Sequence, residues 1–256
     1  MDMTHRKQLT VFAVLLAILA VCTFVSYAFF IDMLTASSPT TVAMPDMGMS
    51  NAVLGLISAG IVLAGYGLFG LAGYWLARKI GLPGIYSPEG SLRRWAGIPL
   101  LVGLAAGVFL LLGDLLFAPV NGFGRLAHPP FPVSILASIT AGIGEEILFR
   151  GLVFGLWALL LTWLLKRFNG RTAALWIANV IAALAFAAGH MASAMYLTGA
   201  STPAELNPVL VFELVLLNGV VGLAAGERYM KDGLVAAAGV HFWADVIWHV
   251  LYGLTV

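Results

Sequence analysis

This chain of 256 residues has little charge and almost no sulfur chemistry: only 10% of its side chains are Asp, Glu, Lys or Arg, and it has a single cysteine. Cys22 lies inside an apolar run, which leaves no disulfide framework and no cysteine-based metal site. The His-Glu-x-x-His helix signature of many zinc proteases is missing, as are an inverted repeat and any stretch polar enough for a soluble domain. A formal net charge of +1 provides no basic surface for nucleic acid. What remains is apolar. Hydrophobic residues make up 61% of the chain and the mean hydropathy is +0.98, against about half apolar and a quarter charged in a soluble domain.

A spanning helix needs roughly 20 mostly apolar residues, and such runs occupy 9–31, 52–77, 96–118, 131–165, 173–197, 209–226 and 233–254. The first follows His5, Arg6 and Lys7 like a secretory signal, but its 23 residues exceed a signal core of about 7–15, so it reads as a retained span. Lys and Arg alternate between the loops. Arg6 and Lys7, then Arg78, Lys79, Arg93 and Arg94, then Lys166, Arg167 and Arg171, then Arg228 and Lys231 lie on one side. The opposite loops hold only Arg125, which predicts an inside N-terminus. The run 131–165 would be about 50 Å long as one helix. Two crossings there would give eight spans but would turn Lys166, Arg167 and Arg171 outward, so one kinked span continuing past Gly151 is preferred and the count is seven. The expected fold is therefore an all-α polytopic transmembrane bundle, one membrane domain over 1–256, in a bacterial cytoplasmic membrane. The loop 36–50, rich in Ser, Thr, Pro and Met, reads as a flexible surface connection.

Ionisable side chains inside spans cost at least a few kcal/mol, so each marks a partner or a cavity. The candidates are Asp114, Glu145, Glu146, Arg150, His190, His241, Asp245 and His249. Glu146 and Arg150 are four apart and share a helix face, either as a helix-locking ion pair or as site residues. Glu145 is rotated about 100° from that pair and has no cation on its own helix. His190 follows Gly189 in an Ala-rich helix and is either a packing residue or a group beside a small void. His241, Asp245 and His249 fall at i, i+4 and i+8, with Trp243 and Trp248 on other faces, and an adjacent carboxylate is how a protein fixes an imidazole tautomer. His249 is better read as packing or a proton relay. No motif claims Asp114.

Three segments carry a pattern together: Glu145-Glu146-Ile147-Leu148-Phe149-Arg150, Phe186-Ala187-Ala188-Gly189-His190 and His241-Phe242-Trp243-Ala244-Asp245. In this order on successive spans they resemble the CAAX protease and bacteriocin-processing family of intramembrane endopeptidases, also described as type II CAAX prenyl proteases. The resemblance covers roughly 130–250; residues 1–120 carry no recognised motif. It implies that Glu145 activates the attacking water and His190 holds or polarises it. It also implies that Glu146 and Arg150 shape the site, while His241 and residue 245 stabilise the oxyanion. The family pattern takes Asn or Asp at the position of Asp245, and its prenyl-processing members commonly have Asn. An ionised Asp cannot donate a hydrogen bond, so Asp245 is protonated, orients His241 or helps bind a metal.

The resemblance implies peptide-bond hydrolysis of a membrane-anchored protein or peptide; the composition adds lipid as the surrounding partner and no nucleic acid. No cofactor is required in this reading, although Glu145, His190 and His241 would also make a two-His, one-Glu zinc set. The competing readings are a small proton-coupled transporter and a catalytically silent scaffold of the bacteriocin-immunity type. From the apolar runs, Glu145 and His190 come out nearer the outer face and His241 nearer the inner face, by several ångströms. For the three to meet, those boundaries must move by a turn or more, or the helix bearing Glu145 must break near Gly151.

Overall fold

The computed structural model describes residues 3–36 and 48–255. Among them are seven helices long and apolar enough to cross a membrane, and the chain is an integral, multi-pass helical bundle. The spans are α1 (Met3–Ala36), α2 (Asn51–Lys79), α3 (Ile98–Phe117), α4 (Val133–Glu146) running into α5 (Gly155–Leu164), α6 (Arg171–Thr198), α7 (Pro208–Asp232) and α8 (Leu234–Asp245). Apart from its ends, the loop 36–50 lies outside the described residues.

Local chemistry sets the helix ends. Ser50 caps α2 by accepting from Val53 N, and Asn207 accepts from Val209 N at 2.8 Å just ahead of Pro208 in α7. Gly199, at φ 73°, closes α6.

The run 131–165 is a single crossing, with no break at Gly151. Instead, Ile147–Phe154 forms a π-helical stretch between α4 and α5. α2 lies against it closely: a Cβ on Gly73 would sit 2.7 Å from the Gly151 backbone, so the crossing needs glycine. A second π-helical stretch, Val246–Tyr252, ends the last span, and each places side chains that a regular 3.6-residue helix would turn elsewhere.

The depth expected for His241 needs correction. α7 runs six residues beyond the apolar run, to Asp232, and α8 starts at Leu234 after a turn at Gly233. That start is sunk beneath the loop after α2: Leu234 N donates to Gly84 O and Val235 N to Ile85 O, and Ile85 is only 2% exposed. Gly233 sits at φ 90°, and a Cβ there would be 2.8 Å from the Tyr86 backbone. The last span thus begins deeper than its hydropathy suggests, which raises His241 to the level of Glu146.

The loop after α2 is fastened twice more. Gln8 of α1 donates to Pro83 O and Tyr86 O and accepts from Ile85 N and Tyr86 N. Arg94 pairs with buried Asp232 at 2.6 Å. The core beneath combines α2, the π stretch, α6 and α8 around Ile147, Phe154, Ala178 and Val240.

Candidate active site

The site is built around Glu146. One oxygen, Oε1, accepts from His241 Nδ1 at 2.9 Å, and the other, Oε2, faces Arg150 Nε at 3.1 Å. Glu146 and Arg150 are fully buried, and the guanidinium also lies over the Phe186 ring, 4.9 Å from its centroid. The Arg150 contact is an ion pair whose angle misses hydrogen-bond geometry. A carboxylate taken out of water costs several kcal/mol and is retained where its partners offset that loss. Both oxygens of Glu146 are engaged, which leaves it a positioning group.

Glu145 is less enclosed and more loosely held. A third of its side chain is exposed, and its buried Oε2 has no hydrogen-bond partner but lies 3.9 Å from His241 Nε2. Asp245 Oδ2 is on the other side of the same nitrogen at 3.6 Å. Since Nδ1 carries the proton donated to Glu146, Nε2 presents a lone pair in the singly protonated ring. Three acceptors facing one another would need a shared proton or a bridging water between them.

Phe186 joins the three motifs. Its ring makes edge-to-face contacts with His190 at 4.9 Å, His241 at 5.3 Å and Phe149 at 5.4 Å. Its carbonyl accepts from His190 Nδ1 at 2.9 Å, which fixes the tautomer with Nε2 as the free acceptor. Of the two sequence readings of His190, the packing contact is present, and the ring also lines the site.

Glu145, His190, His241 and Asp245 all line one cavity of about 300 Å³, whose remaining wall is mostly apolar. His249 lines it too and pairs Nδ1 to Nδ1 with His128 at 3.1 Å. Trp248, expected on another face, is also in the wall, because it lies in the π-helical stretch. Among the described residues, no three His, Cys, Asp or Glu side chains form a group that could hold a metal ion. The set Glu145, His190 and His241 is therefore close but not gathered to ligand distance in this arrangement.

Beyond the three motifs, Asp114 is a sequence candidate without an assigned partner, and Glu213, Asn121 and His128 were not singled out. Asp114, unclaimed by any motif, is completely buried and accepts from Leu126 N at 2.8 Å and the Tyr252 hydroxyl at 2.6 Å. Glu213, equally buried, accepts from Asn121 Nδ2 at 2.7 Å. The cost argument that selects the other acids applies equally to Glu213 in the run 209–226. Asn121 and His128 had no signal of their own, since polar residues in a loop are ordinary.

Compared with known proteins, residues 127–247 match the family model described as type II CAAX prenyl endopeptidase Rce1-like. The matched segment runs from the loop before α4 through Asp245 and contains all three motifs. No curated protein and no solved structure matched the chain.

Proposed function

We propose that the chain, whose residues 127–247 match the family model described as type II CAAX prenyl endopeptidase Rce1-like, is an intramembrane endopeptidase in which Glu145 activates a water to hydrolyse a peptide bond. The observation that carries this reading is the division of labour between adjacent acids. Glu146 is held by His241 and Arg150, while Glu145 is partly exposed, has no hydrogen bond at Oε2 and lines the cavity.

In the proposed reaction, water sits between Glu145 and the free Nε2 of His190. Glu145 takes a proton as the water oxygen attacks the carbonyl carbon, and the carbonyl electrons move onto oxygen. The proton between His241 Nε2 and Asp245 Oδ2 is donated to that oxyanion, a role an Asp can fill where the prenyl-processing members commonly have Asn. When the tetrahedral intermediate collapses, the former carbonyl oxygen gives its proton back to the His241–Asp245 pair as C=O re-forms, the C–N bond breaks, Glu145 passes its proton to the leaving nitrogen, and an acid and an amine are released with the site restored. Glu146, Arg150 and Phe186 position His241 and His190. The substrate is a membrane-anchored protein or peptide, and the location is a cytoplasmic membrane of bacterial type.

The test is cleavage of a library of single-span membrane peptides by purified protein in vesicles, comparing wild type with Glu145→Gln and His190→Ala, with and without chelator. Cleavage by wild type that both substitutions abolish supports the proposal. Cleavage that survives both substitutions overturns it, and cleavage lost only to chelator transfers the chemistry to a metal.

A further inference from the structure

The cavity is largely covered at the end that a water-borne substrate would use. The loop 118–132 crosses the end of the bundle opposite the cation-bearing loops, and its Phe123, Leu126 and Pro129 form part of the cavity wall. Three spans hold this roof down. Asp114 of α3 binds Leu126 N and is itself held by the Tyr252 hydroxyl from the last span. Glu213 of α7 binds Asn121, whose side chain in turn folds the loop by accepting from Phe123 N and Gly124 N, both at 2.8 Å. His128 pairs with His249. Asp114, Asn121 and Glu213 are all completely buried. Burying two carboxylates to fasten one loop is costly and is repaid only if the loop stays in place.

The side wall is open. α4 packs against α1 and α8, whereas α6 packs against α7, α5 and the π-helical stretch below Glu146. The two spans meet through Phe149 and Phe186, and α4 itself is not packed against α6. Above that contact, Ala141 and Glu145 of α4 and His190 and Ser193 of α6 face the same cavity. Ala188, Gly189, Ala192 and Ser193 are exposed there. Both flanks belong to spans, so the gap faces lipid. It lies in the half of the bundle away from the cation-bearing loops, which the positive-inside rule places away from the cytoplasm.

We propose that the substrate reaches Glu145 sideways from the bilayer, through the gap between α4 and α6 in the half away from the cytoplasm, beneath the roof held by Asp114, Asn121 and Glu213. This rests on the endopeptidase reading and specifies its substrate class. A helix is about 10 Å across with its side chains, and a cavity of about 300 Å³ does not admit one. The entering segment is therefore extended, a few residues long, and near the end of its membrane anchor on the side of Arg125. Backbone groups freed by unwinding need polar partners in lipid, and Ser193, Thr198 and Asn218 in the cavity wall are of that kind.

The route is tested without turnover, so its failure is distinct from failure of the protease assignment. Protein carrying Cys22→Ser and Arg167→Cys is placed in phosphatidylcholine vesicles. A phospholipid with a diazirine on its acyl chain is then added to the outer leaflet only. After photolysis, an impermeant biotin maleimide on residue 167 separates molecules with the cation-bearing face outward from those with the Arg125 face outward. Mass spectrometry then maps the lipid adducts.

The proposal predicts adducts on cavity residues such as Leu217 and Ala194 only in molecules with the Arg125 face outward. Ala192→Trp should lower them at least fivefold, and Val180→Trp, on the lipid face lower in α6, should not. Ala188→Trp replaces Ala192→Trp if the latter does not elute as folded protein. Cavity adducts equal in both orientations, adducts confined to outward-facing residues, or adducts unaffected by either wedge would overturn the route.

Discussion

His241 donates from Nδ1 to Glu146 at 2.9 Å while its Nε2 lies within 4 Å of both Glu145 and Asp245. One ring thus ties a fully buried carboxylate, bonded at Nδ1, to two more loosely held ones around Nε2. The adjacent acids Glu145 and Glu146 therefore cannot be equivalent, and their substitutions should separate.

Removing Arg150 strands Glu146 in the core. Breaking one side of a buried pair costs about 3–5 kcal/mol, so Arg150→Ala should lower the thermal midpoint clearly, with lost activity following lost fold. Arg150→Lys, which keeps the charge but not the guanidinium plane over Phe186, should lie between. Melting in detergent, followed by circular dichroism, checks both.

Asp245 is assigned as a donor that shares a proton with His241. Asn at that position donates without needing the proton, so Asp245→Asn should stay within about tenfold of wild-type turnover. Asp245→Leu should lose about 10²–10³-fold, the usual worth of one oxyanion donor. If Asn and Leu are equally inactive in single-turnover cleavage, Asp245 has another role.

The roof loop gives stability a pH dependence. Burial lowers the affinity of His128 for a proton in the folded chain, outweighing the opposing charge of Asp114. The unfolded chain then binds more protons, so stability is present above the ordinary histidine value of about 6.5 and falls as the pH drops below it. The melting midpoint should decline from pH 7 to pH 5, and less steeply in His128→Asn. A pH dependence identical in the two would remove His128 from this account.

The α2 crossing depends on Gly73. Its Cβ position is 2.7 Å from the Gly151 backbone, and overpacking of this kind costs typically 1–3 kcal/mol. Gly73→Ala should be destabilised by about that much, whereas Gly60→Ala, with nothing within 4 Å of its Cβ position, should not.

How much was legible in sequence follows from what each residue costs. Glu145, Glu146, Arg150, His190, His241 and Asp245 stood out because an ionisable group in an apolar run needs a reason, and all six lie at one site. The cation pattern and run lengths yielded seven spans, including a single crossing for 131–165. Depth was misread because hydropathy does not register that α8 starts beneath the 84–87 loop. The two π-helical stretches were equally silent, since their sequences satisfy a regular helix. Asn121 and His128 acquire meaning only through Glu213 and His249, which are distant in sequence.

The most direct measurement compares Glu145→Gln with Glu146→Gln, each assayed for cleavage in vesicles and for melting on the same preparation. The account predicts that Glu145→Gln melts like wild type and cleaves about 10²–10⁴-fold more slowly, the range for loss of a general base, while Glu146→Gln loses stability along with activity. Cleavage by Glu145→Gln at the wild-type rate would contradict the central claim.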